Sequence, residues 1–494
     1  MNLLLFLKFI ILFYSINIIN LFNKNEMKRP PSVSGIFYPK DSIQLKQKLD
    51  LYLELKKPYK INDEIIALIA PHAGYDYSGW VAGKSYRELY GKKYDVAIII
   101  APNHLKYFKG ASVFEGESYC TPLGEIKVDN ALRKLITEKQ SLVKLSNEGH
   151  EWNQERSEHS LEVQLPFLQI VQPNISILPI IMGSQDDETV FALIKAIVPA
   201  IRKSEKKVLL IASSDLSHYH NYSSAKKLDE KFINTFEAFD YFKLSTNCFS
   251  GQWEACGAGP VIAVMQIAEQ LGGTESNIMQ IANSAESPYI KADTNKVVGY
   301  FSGLITNKNE NKSLLPNLNA NEKIKLLDIA KNTINNTVNN QELIKFEEDS
   351  KNLNQIYASF VTIRKNHELR GCIGSTISEF PLYKSVINSA KLSSIKDSRF
   401  KPVSQVELNE IKIDITILSR LKRIIDYNEI KLGIDGVYIR NSEKTALFLP
   451  QVANEQNWDL KLLLQNICIK AGLPKTAYTY NDTEFFIFQG LNIK

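Results

Sequence analysis

Ile65-Ile66-Ala67-Leu68-Ile69-Ala70 runs without a break into Pro71-His72-Ala73-Gly74-Tyr75, and the pattern returns twice more. Val96-Ala97-Ile98-Ile99-Ile100-Ala101 leads into Pro102-Asn103-His104, and Val208-Leu209-Leu210-Ile211-Ala212 into Ser213-Ser214-Asp215-Leu216-Ser217-His218-Tyr219-His220. Uninterrupted apolar runs of this length, rich in β-branched residues, read as strands buried on both faces, and such strands belong to parallel sheets covered by helices. Open α/β sheets bind ligands outside the carboxyl ends of their strands. The three runs therefore predict that several imidazoles and a carboxylate converge on one pocket.

Working outward, residues 42–57 and 78–89 read as helices flanking the first strand. Residues 175–182, 188–201 and 208–212 then continue as strand, amphipathic helix and strand, and 297–303 as a closing strand. This β-α-β order predicts an α/β unit with a covered, mostly parallel sheet over residues 27–306. Residues 307–321 are rich in Asn, Lys and Pro without a period and read as a linker. Beyond it, 322–494 reads as a smaller α+β unit: helices at 322–335, 382–391 and 460–471, strands at 358–364, 411–418 and 436–440.

The bulk numbers fit a globular chain. Of 494 residues, 44% are apolar and 23% charged, and the formal charge of +5 is too small for this length to argue for nucleic acid. Five cysteines, an odd number with no C-x-x-C spacing, argue against a disulfide framework and an iron–sulfur cluster and for a reducing, cytoplasmic setting. Residues 1–26 are mostly Leu, Ile and Phe, and read either as an extension upstream of a start at Met27 or as a membrane anchor. The basic Lys28-Arg29 after them would leave the remainder cytoplasmic in the second case.

His72 and His104 are strand-end imidazoles, the commonest ligands of zinc, iron and copper. The best third donor is Cys256, in Glu254-Ala255-Cys256-Gly257-Ala258-Gly259-Pro260, just before an apolar helical stretch. The helix dipole there favours the thiolate that metals bind, and the glycines allow close backbone approach. Taken singly, each histidine reads as readily as a hydrogen-bonded core residue, and Cys256 as an inert buried thiol.

Pro71-His72-Ala73-Gly74-Tyr75-Asp76-Tyr77-Ser78-Gly79, Ala101-Pro102-Asn103-His104, Glu158-His159-Ser160-Leu161-Glu162-Val163-Gln164-Leu165-Pro166-Phe167, Ser213-Ser214-Asp215-Leu216-Ser217-His218 and Ala255-Cys256-Gly257 together resemble the Memo family. That family is similar in fold to the class III extradiol dioxygenases. The resemblance implies that His72, His104 and Cys256 occupy metal-ligand positions, for non-haem iron or else copper or zinc. It implies that His218 stands at the acid/base histidine. Beside the resemblance, Asp215 reads either as orienting His218 or as a carboxylate capping a turn, Tyr77 as a hydrogen-bond donor into the pocket, and Glu158 with His159 as a supporting layer, with His159 reading equally as a core histidine bonded to Glu162 or backbone. A thiolate where the dioxygenases have a carboxylate makes the metal softer, so ring cleavage does not carry over with the site.

In the second region, Glu368-Leu369-Arg370-Gly371-Cys372-Ile373-Gly374 predicts a tight, close-packed turn in which Arg370 and Cys372 form an anion site or a reactive thiol. A hairpin with a small thiol is the plainer reading. The run resembles the signature of the AMMECR-type family, as do Asp397-Ser398-Arg399-Phe400, Gly433-Ile434-Asp435-Gly436-Val437 and Phe448-Leu449-Pro450-Gln451-Val452-Ala453. Memo-type and AMMECR-type units resemble two parts of the AmmeMemoRadiSam system. The expected activity is that of a metal-dependent redox enzyme acting on a small substrate beside a separate radical S-adenosylmethionine protein. The alternative is a non-catalytic metal- or peptide-binding adaptor.

Overall fold

The computed structural model describes residues 27–55, 61–138, 141–152, 156–291, 293–308, 315–342, 349–376 and 380–494. The apolar segment 1–26 lies outside them, and among the described residues no helix is long and apolar enough to cross a membrane. The chain divides into two compact units, residues 1–309 and 310–494.

The strands of the first unit are β1 (Lys28–Arg29), β2 (Glu64–Ala70), β3 (Val96–Pro102), β4 (Ala111–Val113), β5 (Ser118–Thr121), β6 (Gly124–Lys127), β7 (Val143–Leu145), β8 (Ser176–Met182), β9 (Val208–Ser213), β10 (His218–His220), β11 (Glu275–Asn283) and β12 (Val297–Asn307). The main sheet has the order β10-β12-β2-β9-β3-β8-β4-β7, with β11 also on β12. Its centre, β2-β9-β3-β8, is parallel throughout, and β12 and β4 join it antiparallel. Every residue of β3 and β9 is buried, as expected of strands covered on both faces. Because β2, β9 and β3 are neighbours, their three polar carboxyl ends emerge side by side.

The helical run after β2 starts earlier than its apolar periodicity suggests. A π-type turn, Tyr75–Gly79, precedes the α-helix Trp80–Tyr86, and Ser78 N–H reaches the Gly74 carbonyl at 3.1 Å. Such turns recur near functional sites; this one lies three residues from His72.

Arg29 is buried, contrary to its reading as a flanking positive charge. Its guanidinium donates to Glu162 Oε2 (2.5 Å), the His150 carbonyl (2.9 Å) and the Glu158 carbonyl (2.7 Å). Glu162 in turn accepts from the amides of Ser32 and Val33 and from the Tyr38 hydroxyl. A buried pair is tolerable when its remaining valences are satisfied in this way. The network ties residues 29–38 to the segment that carries Glu158.

The second unit has β13 (Ala358–Lys365), β14 (Glu368–Gly374), β15 (Ile411–Leu418), β16 (Lys422–Ile424), β17 (Gly436–Asn441), β18 (Lys444–Phe448), β19 (Glu484–Phe488) and β20 (Gly490–Ile493). They form two antiparallel four-stranded sheets, β14-β13-β15-β20 and β16-β19-β17-β18. Helices Ala320–Val338 and Leu382–Ile395 supply one core, and Leu460–Lys470 the other. Leu318, within the stretch read as linker, is buried in the first of these cores; residues 309–314 of that stretch lie outside the described ones.

Candidate functional site

His72 follows β2 and is buried. Its backbone N–H donates to Asp215 Oδ1 (2.8 Å), its Nδ1 meets Ser213 Oγ (2.9 Å), and its Nε2 lies 3.0 Å from Cys256 Sγ. The Ser213 hydroxyl has one proton, which it donates to the Ser160 carbonyl at 2.6 Å, while it accepts from Gln164 Nε2 at 2.8 Å. It can therefore only accept from His72. This assigns the proton of the imidazole to Nδ1 and turns the Nε2 lone pair toward the sulfur. Burial, and the nearby rings of His104, His159 and His218, hold His72 well below the usual imidazole range, in its neutral form.

His104 follows β3 and is held the same way by a different partner. Its Nδ1 lies 3.0 Å from Glu158 Oε1, and its N–H donates to Glu158 Oε2 at 2.6 Å. Burial alone would push the Glu158 carboxyl up, but the hydrogen bonds and charge of His104 outweigh it and bring it down to about 2. Glu158 is thus a fixed acceptor, and Nε2 of His104 is left for the pocket.

Cys256 stands just ahead of the helix Ala258–Gln270. Gly257 allows this placement: a Cβ there would lie 2.1 Å from the Ser213 carbonyl oxygen. The thiol is not pre-ionised as a helix N-terminus would suggest. Burial, reinforced by the Asp215 charge, pushes it well above the usual thiol range, so desolvation overrides the dipole.

Among the described residues, two sets of three donors have their ligand atoms within 4.8 Å of one another: His72, His104 and His159, and His72, Asp215 and Cys256. Neither set holds all three expected ligands: His72 belongs to both, His104 to the first and Cys256 to the second. His159 stacks on His104 (ring centroids 4.9 Å) under Phe37 (4.4 Å), and burial lowers its pKa to about 4. It stands at donor distance, closer to the centre than a supporting layer.

Of the two readings of Asp215, the geometry matches the carboxylate that caps a turn. Its carboxylate accepts from the backbone amides of His72 and Ala73, so it fixes the loop after β2 and does not orient His218. Burial raises it to about 7, and the two amide hydrogen bonds pull against that. His218, on β10, is lowered first by burial and then by the charge of His104. Tyr77 packs beside Tyr300 and Val298, and among the described residues its hydroxyl has no hydrogen-bond partner. Tyr300, buried near Asp215, was not legible because nothing in its strand sets it apart. His150 belongs to the Arg29 network through its carbonyl while its Nδ1 meets the Tyr119 hydroxyl, and His220 pairs with Glu254 at 2.8 Å.

In the second unit the glycines of 368–374 lie within β14, and the turn is made by Asn366 and His367, both at positive φ. Gly371 instead allows a close approach: a Cβ there would lie 2.4 Å from the Ser393 carbonyl oxygen. Arg370 is not an anion site. Its guanidinium is spent on both carboxylate oxygens of Glu407 and on the Lys401 and Pro402 carbonyls. The guanidinium at Cys372 is that of Arg399, which donates to the Cys372 carbonyl and to Asp397, itself also an acceptor for the Cys372 and Arg399 amides. The Cys372 thiol faces Thr362 Oγ1 across the hairpin at 3.3 Å.

Comparison with known proteins agrees with this anatomy. Residues 29–304 match the family model described as Memo-like protein, and 327–493 the model described as AMMECR1. The chain is 36% identical over 288 residues to a MEMO1 family protein of Methanobrevibacter smithii, covering 56% of this chain and 99% of that one. It is 37% identical over 273 residues to one of Methanosarcina barkeri, covering 55% and 97%. Among solved structures, an uncharacterised protein of Pyrococcus horikoshii is 28% identical over 34% of this chain and 88% of its own, with a TM-score of 0.33. With a Memo-like match over more than half its length and an AMMECR1 match after it, the chain belongs to the Memo-like family.

Proposed function

We propose that the first unit is a metal-dependent redox enzyme whose ion, iron or else copper or zinc, is held by His72, His104 and Cys256. The observation that carries this reading is the pair of imidazoles each fixed at Nδ1, by Ser213 and by Glu158, which leaves both Nε2 atoms free, that of His72 3.0 Å from the Cys256 thiol. Metal-bound histidines are oriented in this manner by outer partners. The donor chemistry fits: nitrogen and sulfur suit iron, copper and zinc, and the three ligands leave coordination positions open. The bound ion would supply Lewis acidity and, for iron or copper, electron transfer.

The chain's own residues do the rest. Ser213 and Glu158 hold the two rings, and Asp215 fixes the backbone that presents His72. Burial keeps His72 neutral. His218, on β10 next to the strand ends, exchanges a proton with the substrate. The substrate is small, and a separate radical S-adenosylmethionine protein is the proposed partner, a reading supported only by the pairing of Memo-type and AMMECR-type units in one chain. The second unit would bind substrate or partner.

Elemental analysis of the anaerobically purified chain tests the site. One equivalent of metal is expected, lost in His72→Ala/His104→Ala and retained in His218→Ala, whose oxygen consumption with reductant falls by about 10²–10⁴-fold. Equal turnover by His218→Ala and wild type removes the proton-transfer role.

A further inference from the structure

The motif Gly433-Ile434-Asp435-Gly436-Val437 has no part in the site above, yet it shapes a cavity of about 450 Å³ in the second unit. Lys422, Glu429, Lys431, Ile434, Asp435, Ile487, Phe488 and Gln489 line it. We propose that this cavity binds a small organic anion, an apolar body carrying one carboxylate or phosphate.

Three observations carry the assignment. The volume falls in the range of small-molecule sites. Ile434, Ile487 and Phe488 give it an apolar wall, and Gly436 makes room for that wall, since a Cβ there would lie 2.3 Å from the Phe488 ring. The charges are also unequal in what they have left to offer. One oxygen of Asp435 accepts from the Lys431 amide (2.8 Å), and one oxygen of Glu429 from the Asp426 amide that it caps (3.3 Å). The Lys422 and Lys431 ammoniums have no hydrogen-bond or ion-pair partner among the described residues. Two ammoniums with all their protons unengaged therefore stand beside an apolar surface, facing two carboxylates that each have one oxygen already engaged.

A lysine on an edge strand such as β16 ordinarily guards against sheet-to-sheet association. That explains Lys422 alone. Lys431 lies on the connection to β17, and an edge guard needs no apolar cavity beside it.

Calorimetric titration of the full chain with 4-phenylbutyrate and phenyl phosphate tests the proposal, with 4-phenylbutanamide and inorganic phosphate as controls. Saturable binding of both organic anions is expected, at least about tenfold tighter than either control and weakened about tenfold or more in Lys422→Met/Lys431→Met. Ile434→Ser, at an exposed position, is expected to weaken the organic anions and leave phosphate unchanged. No saturable binding, equal binding by the double variant, or phosphate binding as tightly as phenyl phosphate overturns the proposal. Loss of the metal site in the first unit would leave these outcomes unaltered.

Discussion

At the scale of single residues, the account turns on which nitrogen of His72 carries its proton. Ser213 decides it, because a hydroxyl that has given its hydrogen to the Ser160 carbonyl can only accept from the ring. Ser213→Ala removes that acceptor and frees the other tautomer. Metal affinity is expected to fall about 10–100-fold, with little change in stability, as read by competitive metal titration beside thermal unfolding. The proposed ligands stand out in the sequence because each follows a strand or precedes a helix. Asp215 and Ser213 were legible only as residue types. Their partners lie 141 to 143 residues away along the chain, and spacing carries no information about a backbone amide across that distance.

At the scale of elements, the long buried strands β2, β3, β8 and β9 were readable because apolar runs this continuous have few other uses. The short strands β4 to β7 and β10 were not, since three or four residues hold no period. The start of the Tyr75 helical run was missed because a π-type turn breaks the 3.6-residue pattern. Arg29 was missed because burying a guanidinium depends on Glu162, 133 residues on. Arg29→Met strands that carboxylate, and a loss of about 3–5 kcal/mol is expected in denaturant unfolding. Arg29→Met/Glu162→Leu is expected to recover part of it. The Arg370–Glu407 pair has a pH signature. Arg370, with help from the Ser404 amide, brings the Glu407 carboxyl from 4.5 to about 2, so its contribution is full above pH 4.5 and fades as pH falls toward 2. Acid unfolding of Glu407→Gln is expected to lack that component between pH 4.5 and 2; parallel profiles for variant and wild type would show that the pair contributes nothing.

At the scale of the whole molecule, the change of composition after residue 306 announced two units, and the structure divides at 309 and 310. The composition did not show that Leu318 already belongs to the second core, because a single leucine in a polar stretch carries no pattern. A ligand that binds only folded protein stabilises it, by about 2.7 kcal/mol at a hundred times its Kd. Removing the metal with a chelator is therefore expected to lower the unfolding temperature of the first unit and leave the second unchanged, as followed by hydrogen exchange in each. Equal loss of protection in both would mean that the ion is not confined to the first unit. The measurement closest to the central claim is metal-edge X-ray absorption of the loaded full-length chain. The account predicts one sulfur and two imidazole neighbours around the ion, with the sulfur lost in Cys256→Ser. A shell without sulfur in the wild-type protein would contradict it.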